Sequence, residues 1–500
     1  MSLATVHSRA QLGVKAPPVA VEVHLSGGLP ATSIVGLPEA AVRESRDRVR
    51  AALITSLFEF PARRITVSLA PADLPKESSR YDLAIALGIL AASGQIPEPA
   101  LAEFEIFGEL ALSGELRPIT GVLPAVLQAR RSGRKVILPH ENGFEAALVR
   151  DAEVYTARSL LQVCAFLRGE SALAAATAPP VALVGAETPD LREVCGQAAA
   201  RRALEVAAAG GHNLLFVGPP GTGKTMLAAR LPGILPGLTE AEALESAAVA
   251  SVCGLDVQPF LSRRSFRSPH HSASAVALVG GGSIPRPGEV SLAHNGVLFL
   301  DELPEFDRSV LESLREPMES GKILISRAAR QAEFPARFQL VAAMNPCPCG
   351  YAGDASGRCR CTPDRLARYR SRVSGPILDR IDLHVEVPRV PPAEWRDPGE
   401  DSATVAARVA AARELQIARA GRPNALLGTH ELARDAPLSR QDRELLDRAA
   451  ERLGLSARAH QRILRIARTI ADLEASRAVS REHLSEAIAY RKLDRLPVAA

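Results

Sequence analysis

A glycine-rich segment at residues 218–225 constrains the fold of this chain more than any other feature. It matches the P-loop pattern at every position and lies between a predicted strand at 214–217 and a predicted helix at 224–230. Glycines let backbone N–H groups wrap phosphates, and the following helix directs its positive end at the same anion. The segment therefore predicts a phosphate-binding turn, formed by Gly218, Pro219, Pro220, Gly221, Thr222, Gly223, Lys224 and Thr225.

Two acidic residues, Asp301 and Glu302, directly follow the apolar run at 297–300. Ligands of open α/β sheets bind at the carboxyl ends of the strands, so this pair is placed to meet the P-loop. We expect Lys224 to neutralise the β and γ oxygens of ATP, and Thr225 and Asp301 to hold Mg²⁺. Glu302 is then predicted to polarise the attacking water.

A polar residue, Asn345, follows a third predicted strand at 338–343. Its side chain is placed either to orient the water between the γ-phosphate and Glu302 or simply to start a turn before Pro346. The spacing alone leaves both interpretations open.

The length and composition indicate the number of domains and the general class of protein. A chain of 500 residues predicts two or three domains, and 47% hydrophobic with 23% charged residues is typical of a globular protein. The net charge of +4 is too small to identify a nucleic-acid partner. The most apolar runs, such as 83–93, fall short of the ~20 residues of a membrane span, and no signal pattern is present. With cysteines that read as reduced thiols or metal ligands, these features predict a cytoplasmic protein without a membrane partner.

Hydrophobic patterning predicts an α/β protein with several parts. Residues 1–170 alternate strands and helices, at 19–25, 38–53, 64–69, 83–92 and 136–138, and are expected to form a compact α/β domain. Residues 171–190 are small and nearly uncharged and read as a linker. Residues 191–391 predict a mostly parallel sheet. Residues 392–500 are strongly helical, at 403–420, 440–453, 457–474 and 480–492, which suits a lid.

Longer segments resemble one family over essentially the whole chain. VGLPEAAVRESRDRVRAAL, GPPGTGKT, FRSPHHSAS, NGVLFLDELPEF, AAMNPCPCGY, SGPILDRIDLHVEVP and SARAHQRILRIARTIADLE are similar to the ComM/YifB family of magnesium-chelatase-like AAA+ ATPases. The resemblance implies that Asn345 is the sensor-1 residue, Arg380 the arginine finger and Arg458 the sensor-2 residue. It also implies a P-loop AAA+ core, a helical lid and a homo-oligomeric, hexameric ring.

Related AAA+ proteins carry extra β-hairpins, and residues 321–337 resemble one. Lys322, Arg327, Arg330 and Arg337 make the segment basic. A ring of such hairpins would line a pore and contact the phosphate backbone of DNA. The alternative is a surface loop with ordinary basic residues.

The first 170 residues resemble the proteolytic domain of Lon, which implies a ribosomal-protein-S5-like α/β fold. The position of Lon's nucleophilic serine falls on Arg80, and that of its lysine on Leu123. Since leucine cannot act as a base, we expect the domain to be proteolytically inactive and to serve ring assembly or DNA contact.

Four of the seven cysteines are clustered at Cys347, Cys349, Cys359 and Cys361. Four sulfur ligands suit a structural zinc ion, although two C-x-C pairs are tighter than the usual C-x₂-C spacing. The alternative is four reduced thiols in a glycine-rich insert.

Together these features predict an ATP-hydrolysing, DNA-stimulated motor. The resemblance implies helicase or branch-migration activity on single-stranded or branched DNA in recombination and natural transformation. Two alternatives are a chelatase-type motor for metal insertion into a tetrapyrrole, and an ATP-dependent protease. The Lon-like domain argues against the first, and the lost dyad against the second.

Overall fold

A computed structural model describes residues 2–74, 76, 78–177, 188–327, 330–354, 357–396 and 398–491. The chain forms two compact units. The N-terminal unit comprises Met1–Leu183 and Ala247–Leu261, and the P-loop unit comprises Val184–Ser246 and Ser262–Ala500.

The strands of the N-terminal unit are β1 (Ser2–Arg9), β2 (Pro18–Ser26), β3 (Ala31–Val35), β4 (Arg64–Ala70), β5 (Phe104–Ile106), β6 (Glu109–Leu110), β7 (Leu116–Arg117), β8 (Lys135–Pro139), β9 (Val154–Ala157) and β10 (Ala174–Ala175). Its first helices are α1 (Ala40–Thr55), α2 (Asp82–Ala92), α3 (Val122–Arg131), α4 (Gly143–Ala147) and α5 (Leu160–Leu167).

Eight of these strands form one mixed sheet in the order β10-β9-β8-β5-β1-β2-β4-β3. Strands β1, β2 and β4 are antiparallel neighbours, whereas β5, β8 and β9 pair in parallel. Val21 and Val23 of β2 alternate into the core, which is the pattern of a sheet with one buried face. The strands and helices predicted for this region are all present.

Helix α2 is buried on every side and packs on β1 and β2. Its Gly88 permits this close approach, because a Cβ there would lie 2.5 Å from Val23 Cγ2. Strand β10 lies inside the segment 171–190, which was predicted to be a linker, and it pairs with β9 of the sheet. Residues 178–187 of that segment lie outside the described residues.

The P-loop unit begins with α6 (Ala198–Gly210), β11 (Leu214–Val217), α7 (Lys224–Ala228), α8 (Leu231–Ile234), α9 (Glu240–Val252), α10 (Gln258–Ser262), β12 (Phe266–Arg267), α11 (Ala275–Val279), β13 (Gly280–Gly281), β14 (Arg286–Pro287), α12 (Glu289–Leu292), β15 (Val297–Leu300), α13 (Arg308–Ser313) and α14 (Arg315–Ser320); residues 247–261 of this run cluster with the N-terminal unit. It continues with β16 (Lys322–Arg327), β17 (Arg330–Pro335), β18 (Gln339–Met344), α15 (Pro363–Arg370), α16 (Gly375–Leu378), β19 (Leu383–Glu386), α17 (Ser402–Ala420), α18 (Thr429–Asp435), α19 (Arg440–Leu453), α20 (Ala457–Leu473) and α21 (Arg481–Ala489).

The central sheet of this unit is parallel throughout, in the order β12-β15-β18-β11-β19. Strands β11, β15 and β18 are buried along their whole length, which explains their unbroken apolar sequences. Strands β16 and β17 form the antiparallel hairpin predicted for 321–337.

The C-terminal helices pack around α20, whose Ile463, Ile466 and Ile470 are buried among α6 and α17. The caps follow the sequence signals, since Ser456 accepts the N–H of Ala459 at the start of α20. Mixed α/β structure, a parallel sheet core and C-terminal helices confirm the predicted fold class. Within the described ranges, every helix falls short of the length and apolar character needed to cross a membrane.

Candidate nucleotide site

The P-loop leaves the end of β11 and turns sharply before α7. The N–H of Gly218 donates to the Met344 carbonyl at 3.2 Å, which ties the turn to β18. A Cβ on Gly218 would lie 2.2 Å from the Val387 carbonyl oxygen, and Gly223 has a φ of +86°. Only glycine fits these two places, so the sequence pattern has a direct steric cause.

Lys224 is buried and joins the P-loop to the neighbouring strand. Its ammonium donates to the carbonyls of Gly218 at 2.7 Å and Pro219 at 2.8 Å, and to Asn345 Oδ1 at 3.2 Å. Burial lowers the pKa of Lys224, while the charges of Asp301 and Glu302 oppose that shift. The three hydrogen bonds hold the only buried cation of the P-loop at the end of β18.

Asp301 stands at the end of β15 and faces the start of α7. The Thr225 hydroxyl donates to Asp301 Oδ2 at 2.6 Å, and the N–H of Glu302 donates to Asp301 Oδ1 at 2.9 Å. Hydroxyl and carboxylate oxygens are the ligands Mg²⁺ prefers, so this pair fits that ion. Glu302 has a φ of +52°, a left-handed conformation that is uncommon outside glycine.

The structure adds a residue that motif analysis did not single out. His271 Nδ1 lies 3.3 Å from Glu302 Oε2, and its ring packs on His270 with a centroid separation of 4.0 Å. Both histidines belong to the segment FRSPHHSAS, which carries part of the family resemblance. The alignment of β12 beside β15 brings it to the acidic end of β15, which local sequence does not reveal.

These side chains surround one cavity of about 460 Å³. Its walls are the P-loop from Pro220 to Thr225 together with Met226, Asp301, Glu302, Met344 and Asn345. The structure therefore brings together the carboxyl ends of β11, β15 and β18, as the spacing predicted.

Arg380 and Arg458 lie away from this cavity. Arg380 is buried at the end of α16, where it pairs with Glu319 and donates to the Pro376 carbonyl at 2.6 Å. Arg458 is exposed in the first turn of α20. Its neighbours Ser456 and Ala459 line a second cavity of about 600 Å³, which shares Met344 with the first.

The four clustered cysteines converge, with their sulfur atoms all within 4.8 Å of one another. Cys347 Sγ is 3.3 Å from Cys349 Sγ and 3.8 Å from Cys359 Sγ, and Cys349 Sγ is 3.7 Å from Cys359 Sγ. A tetrahedral zinc with Zn–S bonds of about 2.3 Å separates its sulfurs by about 3.8 Å. The four sulfurs therefore fit a metal site of this kind.

The basic hairpin is present, with part of its charge already compensated. Lys322 is exposed and pairs with Glu333 across the hairpin at 2.9 Å. Arg327 of β16 and Arg330 of β17 are backbone partners in the hairpin, and their side chains lie outside the described part of the structure. Arg337 pairs with Glu245 at 2.6 Å.

In the N-terminal unit, the two positions predicted to correspond to the Lon dyad carry side chains of other chemistry. Arg80 is 1% exposed and donates to Gln11 Oε1 at 2.7 Å and to the Thr120 carbonyl at 2.6 Å. Leu123 is fully buried, and Ser79 donates to Glu109. A buried guanidinium and an apolar side chain occupy the place of a nucleophile and its base.

A P-loop after β11, an acidic residue pair at the end of β15 and a polar residue after β18, the strand between them, define an AAA+-type core. Magnesium chelatase, subunit ChlI, is the family that matches residues 190–395. Its related models, subunit ChlI of Mg-chelatase and the ChlI C-terminal region, match residues 21–142 and 399–491.

Full-length relatives extend this result. YifB of Salmonella typhimurium is 54% identical over 99% of this chain and 98% of its own length. Competence protein ComM of Haemophilus influenzae is 53% identical over 99% of both chains. The magnesium-chelatase 38 kDa subunit of Rhodobacter capsulatus is 26% identical over 54% of this chain and 77% of that subunit. The chain belongs to the ComM/YifB family of magnesium-chelatase-like AAA+ proteins, as the sequence resemblance predicted.

Proposed function

We propose that this protein is a ring-forming AAA+ ATPase that moves on DNA. One observation carries the ATPase part: Lys224, Thr225, Asp301, Glu302 and Asn345 meet around one cavity at the ends of three adjacent parallel strands. Such an arrangement places a cation, a metal-binding pair and a carboxylate where a nucleoside triphosphate binds in this fold class.

Each residue has a distinct task in hydrolysis. Lys224 would donate to the β and γ oxygens in place of its carbonyl partners. Thr225 and Asp301 would hold Mg²⁺, which would supply positive charge to the phosphates. Glu302 polarises the attacking water and Asn345 orients it. His271, which contacts Glu302, holds that carboxylate in place.

Oligomerisation completes the site in this proposal. Arg380 lies outside the cavity of its own chain, and the family resemblance assigns it to the site of a neighbouring subunit. A guanidinium inserted across an interface stabilises the charge of the transition state, so hydrolysis depends on a homo-oligomeric, hexameric ring. Arg458, on the lid, supplies the sensor-2 guanidinium.

DNA is the proposed track. The similarity to the competence protein ComM of Haemophilus influenzae and the basic hairpin with Lys322, Arg327 and Arg330 support it. Phosphate contacts from a pore hairpin are independent of sequence, which suits helicase or branch-migration activity in recombination and natural transformation. The proposal places this activity in the cytoplasm.

We further propose a structural zinc ion held by Cys347, Cys349, Cys359 and Cys361, for which the sulfur spacing is the support. Bound zinc supplies a rigid cross-link between the two C-x-C pairs and no redox chemistry.

The test is the rate of ATP hydrolysis without DNA and with single-stranded, duplex and four-way-junction DNA, together with ATP-dependent movement of the junction. We expect stimulation by at least one DNA and loss of both activities in Lys224→Ala. Lys135→Ala, at a partly exposed lysine on β8 of the N-terminal unit, is the control. Junction movement that is independent of ATP, and unchanged in Lys224→Ala, would refute the proposal.

A second candidate is a chelatase-type motor that drives metal insertion into a tetrapyrrole. The match to magnesium chelatase subunit ChlI and the similarity to the Rhodobacter capsulatus subunit favour it. Stimulation of the ATPase by a tetrapyrrole, without any stimulation by DNA, would select this candidate.

A further inference from the structure

The cysteine cluster begins only two residues after Asn345 and lies against the P-loop. Cys347 is the first ligand candidate, and Gly350 follows it in a tight turn with a φ of +85°. A Cβ on Gly350 would lie 2.6 Å from Pro220 Cδ, so the backbone of the cysteine loop touches the P-loop directly. One short segment therefore contacts two walls of the nucleotide cavity.

Contacts within the loop order it around the cysteines. Cys347 is fully buried, and its sulfur accepts the N–H of Ala352 at 3.3 Å. The ring of Tyr351 is flanked by the guanidinium carbons of Arg358 at 5.9 Å and Arg389 at 5.3 Å. These contacts make the loop a defined support rather than a free surface segment.

The charges also favour a metal. Four thiolates around one Zn²⁺ leave a net charge of −2, which nearby cations stabilise. Arg358 and Arg360 lie within the loop, and Arg370 has Cys347 as an electrostatic neighbour. An N–H donor to the Cys347 sulfur is the kind of outer contact that tunes a thiolate ligand.

We propose that zinc bound by these four cysteines controls the nucleotide site. The metal holds Gly350 against Pro220 and, through Cys347, keeps Asn345 in reach of Lys224. ATP affinity and hydrolysis therefore depend on zinc, although zinc touches neither ATP nor water. This inference rests on the proposed nucleotide and zinc sites and goes beyond both.

The experiment uses the full chain and measures zinc content and the Kd of a fluorescent ATP analogue. We expect one zinc per chain in the wild type. The double variant Cys359→Ser, Cys361→Ser should lose the metal and bind the analogue about tenfold more weakly. Cys361→His, which keeps a zinc ligand, should retain zinc and bind within about twofold of wild type. Cys195→Ser, a cysteine outside the cluster, is the matched control.

Gly350→Ala tests the mechanical link separately. The added methyl group must displace Pro220, so the variant should keep its zinc but bind the analogue about tenfold more weakly. Its thermal unfolding and circular dichroism verify that the unit is folded.

The possible results test zinc binding, its effect on analogue affinity and the contact of Gly350 with Pro220 separately. A wild-type chain without zinc overturns the inference, as does a metal-free double variant with native circular dichroism and unchanged analogue affinity. Should Gly350→Ala bind the analogue as tightly as wild type, the contact with Pro220 is not the link and the inference fails. A chain whose analogue binding depends on zinc, but whose ATPase ignores every DNA, would leave this inference standing and refute the DNA motor.

Discussion

The two units use polar side chains in opposite ways. In the P-loop unit, Lys224, Asp301 and Asn345 face a cavity of about 460 Å³. In the N-terminal unit, the position matching the Lon serine holds Arg80, which is 1% exposed and bonded to Gln11 and Thr120.

The difference between the two units is whether these polar side chains can bind an added ligand. The Thr225 hydroxyl and the Asp301 carboxylate bond each other at 2.6 Å beside open space that a metal and a phosphate can enter. Arg80 directs its bonds at the protein itself, and Leu123 is fully buried. An α/β fold thus permits a reaction site, but only accessible chemistry makes one.

The largest expected effect comes from removing the buried cation of the P-loop. Lys224→Ala should lower the rate of ATP hydrolysis more than about 10³-fold, because charge on the γ-phosphate loses its main partner. Phosphate release measures it, with Lys135→Ala as the control. Hydrolysis near the wild-type rate would show that the cavity around Lys224 is not the site of ATP hydrolysis.

Arg380→Ala should retain nucleotide binding but lower hydrolysis about 10³-fold, because the guanidinium acts across an assembled interface. Glu319→Gln removes the partner of Arg380 within its own chain and should lower only the unfolding temperature. Binding and turnover are measured over a range of protein concentrations. Full-rate hydrolysis by a dilute monomer would show that the site needs no arginine from a neighbouring subunit.

Asn345→Ala separates the two interpretations left open by its sequence. If the side chain orients the water, kcat should fall about 10²-fold with KM nearly unchanged. A lowered unfolding temperature with an unaltered kcat would instead make Asn345 a turn residue, despite its 3.2 Å contact with Lys224 Nζ.

Arg80→Ala tests the buried position that is predicted to correspond to the Lon serine. The free energy of unfolding of the N-terminal unit should fall by about 1–3 kcal/mol, because the Thr120 carbonyl and Gln11 lose a buried donor. Chemical denaturation measures this, and the exposed Arg63→Ala should leave stability unchanged. Neither the wild type nor Arg80→Ala should cleave casein, and cleavage sensitive to Ser79→Ala would revive the protease alternative.

The smallest effect concerns an ion pair remote from the cavity. Glu245 pairs with Arg337 and also accepts a hydrogen bond from His294. The bond from His294 and, to a lesser extent, the charge of Arg337 lower the pKa of Glu245 to about 2, although burial acts to raise it. The stability it contributes is present above about pH 4.5 and is lost as the pH falls toward about 2. Since the pair is partly exposed, we expect about 1 kcal/mol, measured by unfolding of Glu245→Gln and wild type across that range. An equal acid sensitivity in both proteins would show that the pair contributes nothing.

The sequence analysis predicted the fold class and the residues that the structure brings together around the cavity of the P-loop unit. The strand–turn–helix around 218–225 and the acidic end of β15 could be read locally, because each is a short motif with its own steric or chemical cause. The elements that were not predicted include strands β1, β9 and β10 and helices α3, α5, α9 and α18. The contact of His271 with Glu302 was missed because it depends on strand pairing between β12 and β15.

Local residue order alone decided the P-loop turn, the apolar central strands and the C-terminal helices, and it puts Arg80 and Leu123 at the positions predicted to correspond to the Lon dyad. Packing alone decided that Gly350 lies on Pro220, that Arg380 is paired with Glu319, and that the four cysteine sulfurs meet. The reason is physical: turns and periodicity are set by neighbours in the chain, whereas contacts between distant residues exist only once the sheet has ordered its strands.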